Sequence, residues 1–233
     1  MSENINHDTY LFLSNKKLII SISSEIDQKI YLEELNLDDD FKNKPLEKLD
    51  FFLNKNVFKI ENEIKNFIKK ISVILDLDIF FPIEVSIKKD INYKEIDTKI
   101  LSYLVYEAKD SCKKTLDKKK IVHMFITDYK IDNKSYSHLP NNIKGKNLSL
   151  DIKLITIDKD YVKILEKILK RYQISLHKIL NLNYLRQFMS ENETNIFSTA
   201  KKIADGFNIN EVTLIGKSNK KEGFFEKFFN FFN

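Results

Sequence analysis

The sequence predicts an α/β fold, and three observations predict it. Apolar residues alternate with polar ones at Ile83–Ile87 and at Leu148–Leu154, the period of a half-buried strand. Elsewhere they recur every three or four positions, as at 96–108 and 161–172, the period of an amphipathic helix. With 42% hydrophobic residues in 233, the chain can bury one sizeable core, or one domain with a smaller lobe inserted.

The elements follow in order. Leu11–Leu13 and Leu18–Ile22 are short apolar runs on either side of Ser14-Asn15-Lys16-Lys17, which reads as an opening β-hairpin. A third strand is expected at Lys29–Glu33. Residues 36–50 are polar and acidic, contain Pro45, and read as a loop. From Val57 to Leu75, Ile60, Ile64, Ile68, Ile71 and Leu75 predict a helix, with Asn56 as its N-cap. Asp76–Pro82 breaks it. A strand at 83–87, a helix at 93–111, a strand at 121–129, a loop at 132–146 and the strand at 148–154 then form a strand–helix–strand–strand lobe. A helix at 159–172, a strand near 174–180 and helical pieces at 182–189 and 196–205 follow, with Gly206 as a helix stop. Val212 and Leu214 suggest a last short strand. Residues 216–223 are a polar linker.

Composition narrows the function. The net charge is +5, yet Arg171 and Arg186 are the only arginines among 39 basic residues, and the lysines are interspersed with acidic residues. Nucleic-acid readers concentrate arginine for its planar fork, so no nucleic-acid partner is expected. Cys112 is the only cysteine, which excludes an intrachain disulfide and a thiolate zinc site. His7, His123, His138 and His177 are scattered, with no i, i+4 pair to grip a metal. The N-terminus lacks the pattern of a signal peptide, and no stretch reaches the length of a spanning helix, so the expected location is the cytoplasmic side of a membrane.

Motifs for catalysis are missing from the pattern. Leu214-Ile215-Gly216-Lys217-Ser218 ends like a phosphate loop, but Glu211 stands where the first glycine is required. Asp38-Asp39-Asp40 lacks calcium-loop spacing. Four glycines (Gly145, Gly206, Gly216 and Gly223) are few for a backbone that must wrap a phosphate. No catalytic, cofactor-binding or metal-binding residue is assigned, and the chain is expected not to be an enzyme.

The order of elements resembles FtsA, the actin-like membrane tether of the bacterial division ring. Leu11-Phe12-Leu13-Ser14-Asn15-Lys16-Lys17-Leu18-Ile19 is similar to that family's first hairpin, Leu-Asp-Ile-Gly followed by two small residues and Lys-Ile. Gly145 through Leu148-Ser149-Leu150-Asp151-Ile152-Lys153-Leu154-Ile155-Thr156 is similar to its Gly-x-x-Met/Leu-x-x-x-x-His-x-Ile-Thr run. Ile174-Ser175-Leu176-His177-Lys178-Ile179 is like its Gly-Leu-x-Val-x-x-Leu. The resemblance implies a partial actin-like (ribonuclease-H-like) domain at 8–78 plus 158–215. It also implies an inserted subdomain at 79–157, a linker at 216–223 and an amphipathic helix at 224–233. Phe12 replaces the family's metal-associated Asp, Ser14 replaces a glycine, and the second phosphate loop and the half that binds the FtsZ tail have no match.

The tail carries its own signal. Most of Phe224, Phe225, Phe228, Phe229, Phe231 and Phe232 fall on one helical face, with Glu226, Lys227, Asn230 and Asn233 opposite. Each ring transferred to a bilayer interface gains about 1.5–3 kcal/mol, and ordering the backbone costs about 1–2 kcal/mol per residue. Weak, reversible membrane binding results, helped by Lys220, Lys221, Lys227 and Lys217. The alternative is a docking peptide for this protein's core or a partner's groove.

The expected function is therefore a non-catalytic, membrane-associated division protein that tethers or recruits divisome components. Membrane lipids and division proteins are its expected partners, FtsZ among the possibilities, along with self-association. The alternatives are a divergent actin-like ATPase and a soluble scaffold related to the actin-like platform proteins of pilus assembly.

Overall fold

A computed structural model describes residues 7–24, 29–37, 45–190 and 195–212. In chain order the elements are β1 (His7–Ser14), β2 (Lys17–Ser24), β3 (Lys29–Asn36), α1 (Pro45–Ile64), β4 (Lys70–Asp76), β5 (Phe80–Asp90), α2 (Thr98–Ser111), β6 (Lys119–Ile131), β7 (Lys134–Tyr136), β8 (Asn147–Asp158), α3 (Lys159–Arg171), β9 (Ser175–Asn181), α4 (Leu182–Arg186) and α5 (Ile196–Ala204). They divide into two compact units. Among the described residues, one comprises those up to Phe80 and those of Ile157–Phe207; the other comprises Phe81–Thr156 and residues 208–212.

The first unit is built on a five-stranded sheet of order β3-β2-β1-β4-β9. β1 and β2 form an antiparallel hairpin in which Leu13 faces Leu18, and β3 adds antiparallel to β2. β4 lies parallel to β1, and β9 parallel to β4. This order, with these directions, is the ribonuclease-H-like arrangement of an actin-like half-domain. The α/β class read from the sequence and its partial actin-like character are both present.

α1 corrects the sequence reading. It starts at Pro45, where a fixed φ and a missing N–H suit the first helical turn. The segment read as a loop up to residue 50 is therefore helical from Pro45. Asn56 is not an N-cap but a buried mid-helix residue, whose side-chain amide donates to the Phe52 carbonyl at 3.0 Å. The helix ends at Ile64 because Lys65 takes a left-handed φ of 51°. The Glu61 carboxylate then accepts from the Ile68 amide at 3.0 Å. Ile71 and Leu75, expected on that helix, belong instead to β4, which is buried from Ile71 to Leu75. A central strand covered on both faces shows no alternation, and its isoleucines mimic a helical period.

α1 contacts β2 and β3 and packs beside α3. Arg171 ties the two helices with an ion pair to Asp50 at 2.7 Å. The Tyr172 hydroxyl donates to the Asp50 carboxylate and carbonyl at 2.9 and 2.8 Å. Burial, reinforced by that carboxylate, pushes this phenol up to about 12. At the other end of the unit, α5 stops at Gly206, whose φ of 91° suits a residue without a Cβ.

The second unit carries a four-stranded sheet of order β5-β8-β6-β7. α2 is capped by Asp97, whose side chain accepts from the Ile100 amide at 2.8 Å. Its residues Leu101, Leu104, Val105 and Ala108 share an apolar core with Met124, Ile126, Leu148, Leu150, Ile152 and Leu154. Pro82 is tolerated because β5 is an edge strand. The loop expected at 132–146 contains the short strand β7. On the polar positions of β5, β6 and β8, Lys153 pairs with Glu84 at 2.9 Å, and Asp151 accepts from Ser86 at 2.6 Å and Lys130 at 2.5 Å. Those bonds, Lys130's first, hold the Asp151 carboxyl below the usual carboxylate range.

Residues 208–212, expected with the discontinuous domain, run along β6 instead. The Ile126 amide donates to the Asn210 carbonyl at 3.0 Å and the Val212 amide to the Met124 carbonyl at 2.7 Å. Buried His123 meets Glu211 at 2.8 Å. The Tyr129 hydroxyl reaches the Asn210 side-chain oxygen at 3.2 Å, and burial pushes that phenol up to about 12.

Gly145 is needed for close approach. A Cβ there would lie 2.5 Å from Cγ2 of Ile131. The substitution Gly145→Ala should therefore lower stability by about 1–3 kcal/mol through overpacking. A thermal melt shows this as a lower midpoint; an unchanged midpoint would show that Ile131 moves aside freely.

Candidate functional site

A cleft of about 650 Å³ opens on one face of the first unit's sheet. Alternation in β2 decides its floor: Lys17, Ile19, Ser21 and Ser23 face the cleft. Leu18, Ile20 and Ile22 point to the other face and are fully buried. Phe12 of β1, Leu32 of β3 and Asp76 at the end of β4 complete the floor, and Leu182, Arg186, Met189 and residues 195–198 form the opposite wall. Two asparagine caps set that wall. Asn181 accepts from the Tyr184 amide at 2.8 Å and starts α4, and Asn195 accepts from the Phe197 amide at 3.0 Å and starts α5.

The β1–β2 turn stands where the resembled family has its first phosphate loop. Here the Ser14 hydroxyl accepts from the amides of Lys16 and Lys17 at 3.2 and 3.0 Å and donates to the Lys17 carbonyl at 3.1 Å. Ser14 is buried at 5% exposure, so the contacts are sheltered from competing water. The turn amides thus already hold an acceptor, supplied by the chain itself. Lys17 is engaged with Glu34 at 3.3 Å, and Arg186 donates to the Asn183 side-chain oxygen at 3.0 Å.

The chemistry of the lining is limited. Phe12, 7% exposed, places a hydrocarbon ring where the resembled family keeps its metal-associated carboxylate. Among the described residues of the lining, Asp76 is the one carboxylate, and no His, Cys or Glu accompanies it. Among the described residues there is no group of three or more His, Cys, Asp or Glu that could hold a metal.

Of the residues singled out in the sequence, Phe12 and Ser14 come together here. Phe224, Phe225, Phe228, Phe229, Phe231, Phe232, Lys220, Lys221 and Lys227 lie outside the described residues, as do Leu214 and the Gly216-Lys217-Ser218 segment. No described helix is long and apolar enough to cross a membrane. The opposite wall was not anticipated, although Asn181 and Asn195 carry an N-cap signal that marks both helix starts.

No family model matches the chain, and no curated protein sequence does. Solved structures give distant likenesses. The cytoplasmic domain of EpsL, an inner-membrane component of the type II secretion system of Vibrio cholerae, is similar at 13% identity and a TM-score of 0.37, covering 77% of this chain and 59% of that one. A PilM–PilN type IV pilus biogenesis complex is similar at 7% identity and a TM-score of 0.48, covering 78% of this chain and 49% of that one. A Bacteroides thetaiotaomicron protein of actin-like ATPase fold and unknown function gives 16% identity and a TM-score of 0.35, covering 80% and 57%. The chain therefore spans between half and three-fifths of these neighbours. None of the three is described as a division protein. Assignment of the first unit to the actin-like fold rests on its strand order and directions.

Removing the Ser14 hydroxyl tests its part in the turn. Ser14→Ala leaves two amides and a carbonyl without their partner and should cost about 1–3 kcal/mol. Denaturant unfolding measures it, and a loss below experimental error would mean that water replaces the hydroxyl.

Proposed function

We propose that this chain is a non-catalytic, actin-like scaffold, an assembly platform held at a membrane surface by its Phe-rich tail at 224–233. The observation that carries the non-catalytic reading is the self-satisfied β1–β2 turn: Ser14 occupies the amides, and Phe12 fills the neighbouring face. The half-domain and the second unit are the parts that this reading draws on. The lobe, with its charged outer positions, offers a surface for protein partners. Titration with a fluorescent ATP analogue and magnesium tests the reading directly. No saturable binding is expected; saturation would overturn it in favour of a divergent ATPase.

A second reading is an FtsA-type tether at the division ring, on the cytoplasmic face of the membrane. The tail favours it, because six phenylalanines, most of them on one helical face, next to lysines suit an anionic lipid surface. Fluorescently tagged protein with and without residues 224–233 separates the settings. Membrane signal that is lost with the tail is expected. A midcell band selects the division role, and a diffuse cytosolic signal from the full chain would overturn membrane attachment.

A further inference from the structure

The outer side of α1 carries apolar surface that the fold does not use. Its buried stripe is Leu49, Phe52, Leu53, Asn56, Val57 and Ile60. At about 100° per residue, Phe51 and Phe58 fall almost opposite the middle of that stripe. They are 60% and 72% exposed.

Charge is sorted around these two rings. On one flank the helix presents Lys48, Lys55 and Lys59, with the neutral Asn62 between them and the rings. Glu63 is the one acidic residue on that flank, and it lies farther from the rings than any of the three lysines. The Lys48 ammonium lies 6.0 Å from the Phe51 ring centroid. The other flank carries Glu47, Asp50 and Glu61. Asp50 is engaged by Arg171 and Tyr172, and Glu61 by the Ile68 amide. Of the exposed charges around the rings, Glu47 stands beside them on the acidic flank, and Lys55 and Lys59 outnumber it on the other.

Two exposed rings bordered by lysines match a surface that is apolar within and anionic at its boundary. An anionic bilayer has that profile: rings enter at the boundary of headgroup and acyl chain, and lysine ammonium groups meet the headgroup charge. Unlike a ten-residue tail, this helix is already folded and needs no ordering to bind. We propose that α1 is a second, pre-formed membrane contact, with Phe51 and Phe58 inserted and Lys55 and Lys59 on anionic headgroups. The contact is separate from the tail and from the nucleotide question, since it uses residues of neither.

Vesicle co-sedimentation of the full chain tests it, using phosphatidylcholine vesicles with and without phosphatidylserine. The pair Phe51→Ser with Phe58→Ser should weaken partitioning at least about tenfold, as expected for losing two interfacial rings. The pair Lys55→Glu with Lys59→Glu should weaken it on phosphatidylserine vesicles only, with the difference vanishing at high salt. Substituting Phe228 and Phe231 by Ser should weaken binding further on top of either pair. All four α1 positions are exposed, so thermal midpoints should stay within error. Binding by both α1 variants equal to that of the unsubstituted chain would overturn the proposal and leave the tail as the membrane device. Unchanged binding together with loss of a self-associated species in sedimentation velocity would also overturn it, and would assign the face to a second copy of the chain.

Discussion

β1 and β4 are apolar on both faces, and the layers of the first unit follow from covering them. Tyr10 to Ser14 of β1 and Ile71 to Leu75 of β4 are all buried, so helices are needed above and below. α1 and α3 serve one face, and α4 and α5 cover part of the other. What the short helices do not reach, over β2 and β3, is left as the cleft. The candidate site is thus a consequence of incomplete coverage of a sheet whose centre must be dry.

The lobe is held by different means. Its surface ladder of Glu84–Lys153 and Lys130–Asp151 is exposed, and such pairs contribute about 0–1 kcal/mol each. Leu148, Leu150, Ile152 and Leu154 are buried to within 1% exposure, and each contributes about 1.5–3 kcal/mol. Burial therefore dominates the stability of this unit. The same reasoning singles out α1 in the first unit, where two large rings stand in water with no gain to the fold.

How much was legible in the sequence depended on whether an element has a wet face. Ile83, Val85 and Ile87 alternate with polar neighbours because β5 buries one side only, and that strand reads directly. Ile71 to Leu75 is dry on both sides, so its period was lost and it merged with the preceding helix. Pro45 was read as a break when it begins α1, because a proline suits a first helical turn as well as a loop. At the site, Phe12 and Ser14 were visible by their difference from a family pattern. Leu182, Arg186 and Phe197 were not: the helical pieces that carry them are legible, but only tertiary folding brings them to the cleft.

The proposed non-catalytic reading of the cleft turns on the amides of Lys16 and Lys17 being already satisfied by Ser14. Amide NMR spectra of the labelled chain, recorded with and without magnesium and ATP, test this most directly. The Lys16 and Lys17 resonances should stay in place as nucleotide is added. A saturating shift of those two signals would contradict that and would return the cleft to nucleotide chemistry.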